Sequence, residues 1–114
     1  MSALAALAGS LAAAVALGSS PPMCEPQAAN CATASGTIVY VERLDPDGDG
    51  DAHFVLLSRE AVTAPGISVI DVARNLRPHP LPGPGDLLAA AGPVYPGSYG
   101  QHQIQATEVR VARR

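Results

Sequence analysis

The hydrophobic pattern along the chain predicts five short strands separated by turn-forming segments. The five segments combine β-branched, aromatic or alternating apolar residues and cover residues 35–44, 52–58, 67–72, 86–96 and 101–111. The second segment is an almost continuous apolar run, which predicts burial on both of its faces. In the last segment, alternation places Ile104 and Ala106 on the buried side. A slip in register then places Val109 and Val111 there as well.

The connections between these strands are rich in residues that break regular structure. Residues 45–51 (DPDGDGD) contain only Asp, Pro and Gly, each of which favours a tight reversal. Four of the nine residues in 77–85 are proline, which excludes a helix or a central strand and predicts a stiff, extended connection. One helical turn is expected at residues 73–76 and a hairpin turn at residues 97–100.

Together these elements predict an all-β fold class. Five short strands, a tight turn after the first and an irregular connection before the fourth are typical of a small closed barrel of the OB type. OB barrels usually close their base with a helix between strands three and four. Here the proline-rich connection takes the place of that helix, so either Leu76 and Leu81 close the base or the base is partly open.

The N-terminus indicates a compartment. Residues 4–18 (LAALAGSLAAAVALG) form an uncharged apolar run that is too short for a comfortable membrane span. Small residues at Ala16 and Gly18 match a signal-peptidase site, so residues 1–18 are interpreted as a signal peptide and the protein as secreted or located in the cell envelope or periplasm. No Lys or Arg precedes the run. The alternatives are an uncleaved anchor, which would be the one contact with a membrane, and an Ala-rich helix of the fold.

Two cysteines follow the leader directly. Cys24 and Cys31 are separated by six residues, and in an oxidising compartment such a pair is expected to close a small disulfide loop. A crosslink of this kind stabilises a small domain by about 2–3 kcal/mol. The predicted organisation is therefore a leader over residues 1–18, a disulfide-bearing segment over residues 19–34 and an OB-type domain over residues 35–112.

The net charge and the number of aromatic residues indicate whether the chain could bind nucleic acid. The chain has ten acidic residues against seven arginines and no lysine, which gives a net charge of -3. Non-specific nucleic-acid binding is therefore not expected, because such proteins use a basic surplus to neutralise phosphates. With three tyrosines, one phenylalanine and no tryptophan, few side chains could stack on bases.

The aspartate turn, residues 45–51, has the highest concentration of potential metal ligands in the chain. Asp45, Asp47 and Asp49 fit the opening of an EF-hand loop, and Asp51 adds a fourth carboxylate. The twelfth loop position, where a bidentate Glu is needed, is Leu56. Two interpretations stay open: a solvated acidic turn, and a simple hairpin calcium site made of the four aspartates. No other cofactor is expected.

Several turn motifs resemble those of small exported bacterial OB-fold domains. In these domains a DGD-x-H turn opens the second strand, a GD pair opens the fourth, and a glycine inside the fourth strand precedes the last hairpin. The matching positions are Gly36, Gly50, Asp51, His53, Gly85, Asp86 and Gly92. The resemblance covers about residues 36–109. It extends distantly to the staphylococcal-nuclease-like barrel, but the G-I-D-x-P-E element of that family is missing after the second strand, where Arg59 and Glu60 supply the residue types without the motif.

The resemblance implies a ligand face across strands two and three and the last hairpin. The residues it implies are His53, Val55, Leu57, Ser68, Ile70, Tyr95 and Tyr99. His53 could pair with Asp51 or hold a metal; a hydrogen-bonded structural histidine is the alternative. The predicted function is a non-enzymatic, exported binding module for a protein, oligosaccharide or nucleic-acid partner. The alternatives are a calcium-binding nuclease-like domain and a purely structural envelope protein.

Overall fold

The structure, a computed structural model, describes residues 20–42, 50–97 and 100–114. The predicted leader therefore lies outside the described residues, as do Asp45, Asp47, Asp49 and Tyr99. The described residues form six strands: β1 (Cys31–Glu42), β2 (Ala52–Leu57), β3 (Ile67–Val72), β4 (Leu87–Pro96), β5 (His102–Gln105) and β6 (Glu108–Ala112). A 3-10 turn at Arg74–Leu76 is the one helical element in this part of the chain. No helix among the described residues is long and apolar enough to cross a membrane.

Five of the strands close into a barrel. Neighbouring strands pair in the order β1–β2–β3–β5–β4, and β4 pairs with β1 to complete the ring. The β3–β5 pair is parallel and the other pairs of the ring are antiparallel. The predicted all-β fold and closed five-stranded barrel are confirmed.

The last predicted strand is divided in two by a change of register. β5 pairs with the end of β4 through Val94 and Ile104, whereas β6 pairs with its beginning through Ala91 and Glu108. Between these two pairs β4 advances by three residues and the last segment by four, so the last segment contains one additional residue. The predicted slip is confirmed, with Ile104 and Ala106 in the core and Val109 and Val111 packed against it.

β1 starts at Cys31, four residues before the predicted start. Its first half pairs with β4 and its second half with β2, so the strand bends from one partner to the other. The register shifts between Ile38 and Tyr40, where Val39 is the additional residue of a β-bulge. This bend allows one strand to close the barrel.

The core lies inside the ring. Its largest fully buried side chains are Ile38, Phe54, Leu56, Ile70, Leu88 and Ile104. The prediction that strand two is buried on both faces is wrong. Phe54 and Leu56 point inward, whereas Val55 is half-buried and Leu57 is exposed. β2 therefore presents one face to the surface.

The base of the barrel is closed differently from the prediction. The helical turn expected at residues 73–76 is confirmed as the 3-10 turn, but Leu76 is exposed on it, so its predicted role in the base is wrong. Leu81 packs against the core as predicted, and Pro82 beside it is fully buried. The proline-rich connection itself thus fills the place that a helix takes in related barrels.

Candidate binding face

The outer surface of strands β1, β2 and β3 carries three rows of side chains that cross the strands. Each row consists of directly paired residues, whose side chains lie on the same face of a sheet. The rows are Glu42–His53–Asp71, Tyr40–Val55–Val69 and Thr37–Leu57–Ile67. We call this surface the β1–β3 face. The residues that alternate with these along β2 and β3 fill the core, so the rows lie on the outside of the barrel.

Two of the three rows are largely apolar. Tyr40 is 56% exposed and Leu57 is 55% exposed, while the valines and Ile67 between them are half-buried. Grouped side chains of this kind give a ligand a contiguous apolar surface to cover. Tyr40 and Leu57 are two of the four large exposed apolar residues on the described strands; the other two are Val39 and Tyr95.

The remaining row is polar and centred on His53. The imidazole Nδ1 lies 3.4 Å from Oε1 of Glu42, and Nε2 lies 3.6 Å from Oδ1 of Asp71. The side chains are 26% exposed for His53, 48% for Glu42 and 17% for Asp71. The row thus places two carboxylates on opposite sides of one histidine, at the end of the apolar rows.

The face continues beyond β3 onto β5 and β4. Asp71 pairs with Gln105 of β5, and Gln103 of β5 pairs with Tyr95 of β4. Tyr95 is exposed, as expected, but β5 separates it from β3. It therefore lies at the periphery of the face, and Tyr99, which lies outside the described residues, stays a prediction.

The placement of Ser68 and Ile70 on the ligand face is wrong. Both side chains are fully buried and point into the barrel. The Ser68 hydroxyl lies 2.5 Å from that of Ser58 and accepts a hydrogen bond from the Val62 amide at 3.0 Å. This buried serine pair anchors the loop between β2 and β3, and the outward positions of β3 belong to Ile67, Val69 and Asp71.

The described arginines lie outside the three rows, on loops, on β6 and at the C-terminus: Arg59, Arg74, Arg77, Arg110, Arg113 and Arg114. Arg77, for example, donates a hydrogen bond to the carbonyl oxygen of Gly50 at 2.9 Å. The acidic side chains of the rows are Glu42 and Asp71, which lie on either side of His53. Phosphate groups would meet two carboxylates there.

The aspartate turn connects β1 to β2. Glu42, the last residue of β1, pairs with His53 of β2, so the chain changes direction between these two antiparallel strands, as predicted. Of the four candidate calcium ligands the structure describes Asp51, which is half-buried. Among the described residues, no three His, Cys, Asp or Glu side chains are arranged to hold a metal. Calcium binding by the turn stays a prediction.

The predicted disulfide between Cys24 and Cys31 is present, with Cα atoms 6.0 Å apart. Residues of its loop line a cleft of about 370 Å³ beside β4, where Pro93, Thr107 and Glu108 contribute to the lining. The cleft combines backbone, small side chains and two glutamates. None of its lining residues belongs to the three rows.

Six residues of the face were missed from the sequence. Three lie on β1 (Thr37, Tyr40 and Glu42) and three on β3 (Ile67, Val69 and Asp71). The signal that could have found Val69 and Asp71 is the two-residue period of β3, once Ser68 is recognised as the buried partner of Ser58. The outward positions of Tyr40 and Glu42 result from the bulge in β1, which shifts the register by one residue. The composition of the strand does not indicate this bulge.

Comparison with known proteins supports the fold assignment. No family model matches the sequence, and no curated protein does. The chain is similar to the structure of the second single-stranded DNA binding protein (SSBb) from Mycobacterium smegmatis, with a TM-score of 0.53 and 20% sequence identity. The similarity covers 70% of this chain and 85% of the other. With the closed five-stranded ring, it identifies the barrel as an OB fold.

Proposed function

We propose that this protein is an exported, non-enzymatic binding module that holds an extended ligand on the β1–β3 face. The observation that carries the proposal is the pair of apolar rows, led by Tyr40 and Leu57, on the surface across which OB barrels bind their ligands. Exposed apolar groups that are bordered by polar residues are typical of interaction sites. The similar solved structure is also named as a binding protein, which supports a non-enzymatic role.

The charges of the face favour a ligand that is neutral or positively charged. Proteins that bind nucleic acid without sequence preference neutralise phosphates with Lys and Arg along the strand they hold. The polar row instead carries Glu42 and Asp71, and the described arginines lie elsewhere. A polypeptide or an uncharged oligosaccharide fits this face better than a polyanion.

Single-stranded nucleic acid is the second candidate, because the similar structure is a single-stranded DNA binding protein. Exposed Tyr40 and Tyr95 would offer stacking surfaces to bases. Titration of a fluorescently labelled oligothymidylate with the full chain decides between the two. We expect no saturable binding at physiological salt. Micromolar or tighter affinity that falls steeply with salt would favour the second candidate.

Export is part of the proposal on two grounds. Disulfides form and persist in oxidising compartments, and the Cys24–Cys31 pair forms one. An apolar, uncharged segment of signal-peptide length precedes this pair in the sequence. We therefore place the protein outside the cytoplasm, either secreted or in the cell envelope.

Capture with matched variants tests the proposal. The immobilised full chain is incubated with an envelope and culture-medium extract of the producing cell, alongside the variants Tyr40→Ser/Leu57→Ser and Met23→Ser. Met23 is exposed and apolar but lies outside the face. The original chain and Met23→Ser should retain the same partner, and the double variant should lose it. Equal retention by all three would contradict the proposal.

A further inference from the structure

The outer edge of β6 carries backbone hydrogen-bonding groups that point away from β4. We propose that this edge pairs with the same edge of a second copy of this chain, antiparallel and centred on Val109, so that two barrels share one continuous sheet. β6 carries none of the residues of the three rows. The inference therefore goes beyond the proposed function and concerns a second interaction surface.

β6 stands at the end of the strand order and pairs with β4 on one side. β3 follows the last segment only as far as Asp71, whose carbonyl oxygen accepts a hydrogen bond from the amide of Ala106 at 2.9 Å. β3 then ends at Val72, and the chain continues into the 3-10 turn at Arg74–Leu76. Within the residues that the structure describes, no strand therefore pairs with the second side of β6. An edge of this kind is a template to which another strand can add.

Alternate residues of β4 direct their backbone hydrogen bonds to opposite sides of the strand. The carbonyl oxygen of Ala91 accepts a hydrogen bond from the amide of Thr107 at 2.8 Å, which places Ala91 on the β6 side. The amide of Val94 donates to the carbonyl oxygen of Asn30 at 2.8 Å, on the β1 side. Alternation from either residue gives the same result. The β4 residues that bond toward β6 are Leu87, Ala89 and Ala91.

The strand register then determines which backbone groups of β6 point outward. The β6 residues paired with these three are Ala112, Arg110 and Glu108, so their backbone groups point toward β4. Val109 and Val111 alternate with them, and their N–H and C=O groups point away from β4. The guanidinium of Arg110 agrees with this direction, because it donates a hydrogen bond to the carbonyl oxygen of Val109 at 3.1 Å.

Three registers bring the outward backbone groups of two antiparallel copies together. Val109 opposite Val111 of the second copy would place the two Arg110 side chains opposite each other, and like charges in that position are destabilising. Val111 opposite itself would place Arg110 opposite Ala112. Val109 opposite itself places Glu108 opposite Arg110 on both sides of the two-fold axis. Charge complementarity therefore selects the register centred on Val109.

Glu108 and Arg110 are positioned to exchange partners when two copies meet. Oε1 of Glu108 lies 3.7 Å from Nη2 of Arg110, and their side chains are 42% and 33% exposed. Residues two apart in a strand project from the same face, so both meet the opposite charge of the second copy there. The amide of the second copy's Val109 then bonds the carbonyl oxygen that Arg110 contacts in the single chain. The interface is one short strand, so we expect an association that depends on concentration.

Sedimentation velocity over a concentration series tests the inference with the chain purified from the producing cell. The original chain and the charge exchange Glu108→Arg/Arg110→Glu should dimerise. Glu108→Arg or Arg110→Glu alone places like charges opposite each other twice, which should raise the dissociation constant about ten-fold or more. A mixture of the two single variants should dimerise again, which also shows that both are folded. Arg59→Glu makes the same change of charge at an exposed position outside β6 and should behave like the original.

Several results would overturn the inference. The original chain would sediment as a monomer at every soluble concentration, or it would form a dimer that none of the charge changes on β6 weakens. Stronger association of Arg110→Glu would show that Arg110 shields the edge and does not pair across it. The variant Tyr40→Ser/Leu57→Ser keeps β6 unchanged and should dimerise like the original. Loss of the dimer in that variant would assign the contact to the β1–β3 face instead.

Discussion

Gly36 of β1 lies directly against the carbonyl oxygen of Leu57 at the end of β2, and a Cβ atom at position 36 would stand 1.8 Å from that oxygen. The contact occurs where β1 leaves β4 and begins to pair with β2. A side chain there would push β1 and β2 apart, and these two strands carry two of the three residues of each row. The closure of the barrel and the position of Leu57 therefore depend on the same residue.

Substitution of Gly36 should destabilise the fold strongly. The atom that the new Cβ would meet is backbone, so the strain is relieved only by moving a strand, and we expect Gly36→Ala to cost at least about 2 kcal/mol of unfolding free energy. Gly83→Ala is the matched control, because a Cβ there meets nothing within 4 Å. Denaturant unfolding of both variants measures the difference. Equal midpoints would contradict the close approach.

The Asp86 carboxylate should make the stability depend on pH in the acidic range. Backbone N–H groups of Arg114 and Gly83 donate to it at 2.9 Å each and hold the pKa of Asp86 below its ordinary value of 3.8. Because the folded-state pKa is lowered, the stabilisation is fully present above the unfolded value and is lost as the pH falls through the folded one. The stability difference between the original chain and Asp86→Asn should therefore be constant near neutral pH and shrink below about pH 4. An NMR titration of the Asp86 carboxyl that gives a midpoint above 3.8 would contradict this account.

Processing of the N-terminus can be read from the mass of the protein. We expect the chain recovered from the producing cell to begin near Ser19, since the leader ends in a small-residue cleavage signal. It should also lack two hydrogens relative to the reduced form, because Cys24 and Cys31 are bonded. Intact mass spectrometry before and after reduction measures both. A full-length mass with free thiols in the cell envelope would contradict them.

The aspartate turn should bind calcium weakly if at all. The twelfth position of the EF-hand-like pattern is Leu56, which is fully buried in the core and supplies no carboxylate. Asp47→Asn/Asp49→Asn should leave the melting temperature in chelator almost unchanged, and millimolar calcium should raise that of the original chain little. A calcium-induced rise of many degrees that the double variant lacks would show that the turn is a metal site.

The sequence predicts this fold well where proline and glycine mark the ends of the strands. β3 has the predicted bounds, 67–72, because Pro65 and Gly66 end the preceding loop and the strand is β-branched. The start of β1 was missed because residues 31–34 are small and carry little strand propensity. They are extended because they pair with residues 90–93 of β4, a distant segment whose small side chains allow close packing.

The binding face could be predicted on β2 but not on β3. On β2 the polar His53 shows which alternation points outward. On β3 both alternations are largely apolar, so Ser68 is the natural choice for the surface and is in fact buried against Ser58. The local sequence does not specify which alternation of β3 points outward, because the choice depends on the hydrogen bond between Ser68 and Ser58, ten residues earlier. The polar row could not be predicted from local pattern either, because it depends on the register of three strands.

Photo-crosslinking in the producing cell shows directly whether the protein binds its ligand on the β1–β3 face. The photoreactive amino acid p-benzoylphenylalanine replaces Leu57, which is exposed on the β1–β3 face, or Met23, which is exposed outside it. We expect irradiation to give a discrete adduct of higher mass from position 57 and none from position 23. An adduct from position 23 alone, or none from position 57, would contradict the claim that this face is where the protein binds its ligand.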